Sequence, residues 1–339
     1  MNAVNSAAGR APTSADVARL AGVSRSTVSL VVNDVPNSRI AQPTRDRVLA
    51  AVQELGYAPD VSARQLRAGT SRLVLMPLPR LPRGTMIDTT VEHLSEKLSG
   101  QGLTLLVHGD RKTTGTTAAR MWAELRPAVV LVDVDRCTKP SVALLRRAGT
   151  EVLMIAARPT PWGDTLEFDQ GRIGAAAAAH LLAVGHRRLA AIVPTGPLEG
   201  IGRARADGLA NAARAAGVPC EDIAMEATHE SAAAAASVVR RPGGPTAVFT
   251  YNDEYGALLH RALGDQGATM PDDVALVGAD NLPIATFLRP ALSSVALDPV
   301  EMADHMCTAV RSMLERPARS ESVVNGVLAT PLLVRRETS

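Results

Sequence analysis

The sequence predicts a small all-α domain followed by an α/β core of two doubly wound parallel-sheet lobes. Three observations predict it. The chain has 339 residues, more than one domain of ordinary size. Its texture changes near residue 72: helix-period patterns broken by Gly and Ser give way to continuous apolar runs that alternate with amphipathic stretches, the signature of parallel strands covered by helices. Those runs are too many for one comfortable sheet, so two linked lobes fit better.

Charge is distributed as unevenly as texture. Residues 1–72 carry nine Arg, no Lys and five carboxylates, about +4, on a chain whose formal net charge is +2. A basic end on a mildly acidic body fits a polyanion partner, and equally an ordinary Arg-rich surface. Aromatics are scarce, with two Trp, three Tyr and three Phe, so Ala, Val and Leu must do most of the packing.

In chain order, residues 1–12 are polar and read as a disordered leader. A first helix spans residues 14–21, with Thr13 as its cap, Asp16 as the capping-box partner and Val17, Leu20 and Ala21 on one face. Gly22 ends it. Ser24 caps a second helix over residues 25–32, with Val28, Val31 and Val32 inward. A third begins near Pro43, runs to about Leu55 and stops at Gly56. Residues 60–68 form a short helical pattern before Gly69-Thr70-Ser71. Beyond it, strands are expected at 73–78, 103–108, 128–133, 151–156, 189–193, 247–250 and 274–278, and helices at 89–100, 170–184, 203–216, 254–266 and 300–315. The predicted organisation is a leader (1–12), a three-helix domain (13–59), a hinge or linker (60–71), one lobe from 72–186 plus 296–326 and a second from 187–295 plus 327–339. The break between lobes is placed at Gly185-His186. Ligands of such folds sit at the carboxyl ends of the strands, between lobes.

Residues 16–29 follow helix-turn-helix logic. The turn is tight and carries Gly22, Ala18 lets the helices cross closely, and Val23 plugs the gap. The second helix presents Ser24, Arg25, Ser26, Thr27, Ser29 and Leu30 outward. Its hydroxyls and helix N-terminus suit phosphates, and Arg25 and Ser26 lead toward base edges. A generic small helical bundle is the bland alternative.

The runs "TSADVARLAGVSRSTVSLVVN", "TRDRVLAAVQELGYAPD" and "SARQLRAGTSRLV" resemble the lactose/galactose-repressor (LacI/GalR) family of bacterial transcription regulators, and the order of motifs holds almost to the C-terminus. The resemblance implies a helix-turn-helix domain on a periplasmic-binding-protein-like core. It implies DNA contacts from Thr13, Ser24, Arg25, Ser26, Thr27, Ser29, Leu30 and Asn33, and a hinge that orders on operator DNA within a homodimer. There Leu66 would wedge into the minor groove with Ala63 supporting the pair. Three positions depart from the family pattern: Leu30 stands where many members carry a base-reading arginine, Asp60 where an asparagine usually contacts phosphate, and the 34–39 loop is longer than usual.

In the body, "FDQGRIGAAAAAHLLAVGHRRLAAI", "GRARADGL", "PTAVFTYNDEYGALLHRALGDQG" and "MPDDVALVGADNLPIATFLRPALSSV" carry the resemblance. Position by position it implies effector contacts from Asp169, Arg205, Asn252 and Asp280, a chemistry suited to a polar small molecule such as a sugar. Trp162 and Phe168 are candidates for stacking on the ligand, or plain core. Asp169 and Asn252 also read as helix caps, and Arg205 as a surface ion pair. The family's usual Asn-Pro-aromatic element is replaced by "PLPRLPRGTMID", whose Arg80 and Arg83 either favour an anion or are simply solvated.

Other classes fit poorly. Cys137, Cys220 and Cys307 are scattered, the seven histidines lack ligand spacing, and no GxSxG, P-loop, HExxH or strand-borne GxGxxG occurs, so neither metal, cofactor nor enzymatic role is expected. No signal peptide or membrane-length apolar run is visible, and a cytoplasmic location follows as an expectation. The leading reading is a repressor of a pseudopalindromic operator whose DNA affinity a small effector controls. A solute-binding protein, or a regulator that no longer binds an effector, is the alternative.

Overall fold

A computed structural model describes residues 11–32, 38–57, 71–80, 84–316 and 325–339. The chain divides into two compact units at Ser71.

In the first unit, helices α1 (Ser14–Ala21), α2 (Arg25–Val32) and α3 (Gln42–Leu55) have almost the bounds that the pattern predicts. The Asp16 carboxylate accepts from the Thr13 amide (2.9 Å) and hydroxyl (2.6 Å), fixing the start of α1. Gly22, at φ +67°, lets the chain turn sharply into α2. Val17, Ala18, Ala21, Val28, Val31, Val48 and Ala51 form one sealed core. Leu20 does not join it: it is 46% exposed, one position off the α1 face that meets α3.

The second unit begins with β1 (Leu73–Pro77), α4 (Thr85–Gly100), β2 (Thr104–His108), α5 (Gly115–Glu124), β3 (Val129–Asp133), α6 (Lys139–Arg147), β4 (Glu151–Ala156) and β5 (Asp164–Glu167). Then come α7 (Gln170–Ala183), β6 (Leu189–Pro194), α8 (Glu199–Ala215), β7 (Cys220–Met225), α9 (His229–Val239), β8 (Ala247–Phe249), α10 (Asp253–Asp265), β9 (Ala275–Ala279), α11 (Ile284–Phe287) and β10 (Ser293–Ala296). The chain finishes with α12 (Pro299–Glu315), β11 (Asn325–Val327) and β12 (Leu332–Val334). Among the described residues two six-stranded sheets result, ordered β11-β5-β4-β3-β1-β2 and β12-β10-β9-β8-β6-β7. All the pairings are parallel except β10 with β12. The central strands β1, β3, β4, β6, β8 and β9 are apolar and buried on both faces, as helices on both sides require.

The chain passes between lobes three times, and the first crossing corrects the expected boundary. α7 packs on α8 and on β8, β10 and β12 of the second sheet, so the switch lies at Phe168-Asp169 rather than at Gly185-His186. The physical reason is the Ala-rich face of α7, which is flat enough to lie close on α8, while Gly185 at φ +100° merely ends a helix inside the second lobe. The later crossings follow β10 and β11. Among the described residues no helix is long and apolar enough to cross a membrane.

Candidate functional site

In the first unit, the Ser24 hydroxyl accepts from the Thr27 amide (3.1 Å) and lies 2.7 and 2.8 Å from the Ser26 and Thr27 hydroxyls. The leading end of α2 is therefore capped, rich in hydroxyls and electropositive, a surface suited to phosphate oxygens. Ser24, Arg25, Ser26 and Leu30 are exposed, and Thr13, Thr27 and Ser29 half-buried. Val28 and Val31, buried on the opposite face, hold α2 in place. Asn33, Ala63 and Leu66 lie outside the described residues, as do Asp60 and most of the 34–39 loop.

In the second unit, the carboxyl ends of β1, β3, β4, β5, β8 and β9 converge on a crevice. Its larger chamber has a volume of about 630 Å³ and lies mainly against the first sheet. A smaller one of about 180 Å³ adjoins it on the second-sheet side, sharing Met86, Ile87, Phe168, Gln170 and Ile201.

Arg205, buried on α8, organises the smaller chamber. It donates from Nε to Gln170 Oε1 (2.9 Å), from Nη1 to the Tyr251 carbonyl (2.6 Å) and from Nη2 to Asp280 Oδ1 (2.9 Å). Its guanidinium lies 4.9 Å from the Tyr251 ring centroid. Burial pushes the Tyr251 hydroxyl up to about 12, so the ring stays neutral. Asp280 has φ +81°, a conformation rare outside Gly, and the turn at Asp280-Asn281 aims its carboxylate at Arg205. Arg205, Asn252, Asp280 and Phe168 thus meet in one place.

Two expected residues do not line either chamber. Asp169 accepts from the Gly171 amide (2.8 Å) and caps α7, the local role that its position before a helix allows. Trp162 packs with Trp122, Val142 and Met154 in the core behind the first sheet, so stacking on a ligand is corrected to a core role. Asn252 does both: its Oδ1 accepts from the Tyr255 amide (3.1 Å), and it lines the smaller chamber. The three hydrogen bonds of Arg205 likewise replace the exposed ion pair that residue type alone suggests. Arg80 is exposed at the edge of the larger chamber; Arg83 lies outside the described residues.

Gln170 and Asp133 escaped the sequence reading. Both were findable by rule, because each sits at or just beyond a strand's carboxyl end. Burial and the neighbouring Asp135 push the Asp133 carboxyl up to about 7, opposed in part by Arg136. The apolar wall, including Met86 and Ile87 of α4 and Met302 and Met306 of α12, carries no local signal that separates it from core.

Comparison with known proteins agrees with this geometry. Residues 13–60 match the family described as "Bacterial regulatory proteins, lacI family", and residues 178–339 match a "Periplasmic binding protein-like domain". The chain is 29% identical over 335 residues to the HTH-type transcriptional regulator DegA of Bacillus subtilis (strain 168), covering 96% of this chain and 97% of that one. It is 30% identical over 289 residues to the HTH-type transcriptional repressor PurR of Vibrio atlanticus (strain LGP32), covering 83% and 85%. Its fold is similar to that of the lac repressor dimer bound to operator and the anti-inducer ONPF, with TM-score 0.79, 21% identity and coverage of 97% and 99%. With a capped, outward-facing second helix on one unit and a two-lobed crevice in the other, the chain belongs to the LacI family of bacterial regulatory proteins.

Proposed function

We propose that this chain is a sequence-specific DNA-binding transcriptional repressor whose operator affinity is set by a small molecule seated between the two lobes of its second unit. The observation that carries this reading is the exposed Ser24-Arg25-Ser26 end of α2, fixed by a buried helical core and built from groups that bind phosphates and base edges. Thr13, Thr27 and Ser29 position that end on the DNA backbone. Arg25, Ser26 and Leu30 read bases, joined by Asn33 and by the hinge residues Ala63 and Leu66. Leu30 offers a methyl-rich surface where an arginine would seek guanine, so the preferred half-site has thymine methyls opposite it.

The protein works as a homodimer on a pseudopalindromic operator, in the cytoplasm where the DNA is. Effector in the crevice reorients the lobes and so biases the hinge between an ordered, bound state and a released one. The lac repressor structure, of a dimer on operator with an anti-inducer, is the precedent.

The test is a mobility-shift titration of the full-length protein against a randomised palindromic duplex library at several salt concentrations. One palindromic class should be enriched, with affinity falling steeply as salt rises. Arg25→Ala should weaken binding to the selected site by roughly tenfold or more while changing the base preference at one step of each half-site. Equal affinity for selected and scrambled duplexes would sink the proposal.

A further inference from the structure

The larger chamber has a chemistry that a sugar would suit badly. Its wall is largely hydrocarbon and thioether, including Met76, Leu131, Ile155, Phe168, Ile201 and Met306. A polyhydroxylated ring has donors and acceptors on every edge, and against this wall several of them would lose water without gaining a partner. The crevice's strongest donor does not reach that wall: Arg205 lines the smaller chamber, where three of its five N–H groups already serve Gln170, Tyr251 and Asp280.

The charged lining is mainly acidic. Asp133 and Asp135 both border the chamber, and Arg80, exposed, is the only cation among its described lining residues. Asp133 ends the central strand β3, and its carboxylate has no hydrogen-bond or ion-pair partner among the described residues. The nearest candidate cation, Arg136, is turned elsewhere. It donates to the carbonyls of Leu78 (2.6 Å) and Thr113 (2.7 Å) and lies 5.3 Å from the Trp122 ring centroid. The chamber therefore holds an unmatched acid in an apolar box.

We propose that the effector of this protein is an amphipathic amine, with a compact hydrocarbon body filling the larger chamber and a protonated nitrogen held on the Asp133 carboxylate. The inference rests on the reading of the crevice as the effector site. An ammonium supplies the charge-assisted donors that Asp133 lacks, and the hydrocarbon body releases water from the Met, Leu and Ile wall. Asp135 adds to the negative potential. The upward shift of the Asp133 pKa by burial is in keeping with a carboxylate that gains from an incoming cation.

Isothermal titration of the full-length protein with matched probes tests this: a series of arylalkylamines and n-alkylamines led by 2-phenylethylamine, the corresponding alcohols and carboxylates, and ribose. At least one amine should bind tenfold or more tightly than its alcohol, and its carboxylate should bind more weakly still. Asp133→Asn should erase the preference for amine over alcohol while leaving alcohol binding within about twofold. Ile87→Arg, on the half-buried chamber wall where a long side chain can reach solvent, should fold normally and lose amine binding. The proposal is overturned if no amine of the series binds, if alcohol or ribose binds as well as the best amine, or if the preference survives Asp133→Asn. Operator binding is measured on the same preparation. Selective DNA binding without amine preference removes the ligand class alone, whereas loss of selective DNA binding removes the regulator reading whatever the crevice takes.

Discussion

Asp253 is fully buried at the start of α10, yet only one of its oxygens is matched among the described residues. Oδ2 accepts from the Leu282 amide at 2.6 Å, pinning the loop after β9 that carries Asp280. Oδ1 has no partner there, and Gly278 is required beside it because a methyl would overlap that oxygen. Burial, opposed in part by the Ser294 hydroxyl and the Leu282 amide, pushes the Asp253 carboxyl up to about 7 from 3.8. The sign follows. Between those values the folded chain binds a proton that the unfolded chain has released, so stability falls as pH rises from about 4 toward 7 and levels above. Asp253→Asn keeps an oxygen for Leu282 and removes the charge. It should stabilise the protein by about 2 kcal/mol at pH 8, have little effect at pH 4, and flatten the slope between them. Asp133 acts in the same direction, so the flattening is partial. Urea unfolding at pH 5 and 8 checks this, and an unchanged slope in the variant would assign the pH dependence elsewhere.

Legibility at this scale divides by what a residue needs from its neighbours. Thr13, Ser24 and Asp169 are helix caps that sequence position alone suffices to suggest, because the partner is two or three residues away. Arg205 and Asp280 lie 75 positions apart, and only the family resemblance brings them together. Trp162 misleads because a half-buried aromatic looks alike in a pocket and in a core.

Between elements, the tightest constraint is the crossing of α7 and α8. Gly208 sits where a methyl would overlap the Gly171 carbonyl oxygen, and at Gly174 one would overlap the Arg205 carbonyl oxygen. Backbones approach this closely only where side chains are absent. Gly208→Ala must push the helices apart, at a cost of about 3 kcal/mol, or a melting temperature lower by roughly 6–12 °C. Because α8 carries Arg205, ligand affinity should fall with it. Gly264→Ala, near the end of α10 with nothing within 4 Å of the added methyl, is the control and should be neutral or slightly stabilising. Equal melting temperatures for the two variants would mean that the crossing is not constrained as described. Elements with their own punctuation, such as α1 and α3 with their terminal glycines, were readable nearly to the residue. The short strand β5 and the edge strand β7, with acids at Glu221 and Asp222, lack the apolar run that marks a central strand. The lobe boundary was misplaced because a helix pattern does not say which sheet its apolar face will meet.

At the scale of the whole molecule, two units and two lobes follow from the change of texture and the number of apolar runs, but the assembly has to be argued from the surface. Phe287 is 76% exposed on the short helix α11, beside Ile284 at 36%. Two apolar side chains exposed together on one short element form a patch of the kind that marks a protein–protein contact. A second copy of this chain is the fitting cover, since a palindromic operator presents two equivalent half-sites one helical turn or more apart. Phe287→Glu places a charge in the middle of that contact while leaving both lobe cores untouched. Dimer affinity should weaken by about a hundredfold or more, visible as monomer in sedimentation at micromolar protein. Operator affinity should drop in step, because binding of the second half-site ceases to be intramolecular, a loss on the order of 10²–10⁴. Affinity for an isolated half-site should not change. A variant that sediments as the parent does would move the dimer contact away from α11. A variant that is monomeric yet binds the full operator as tightly as the parent would show instead that recognition does not require two copies.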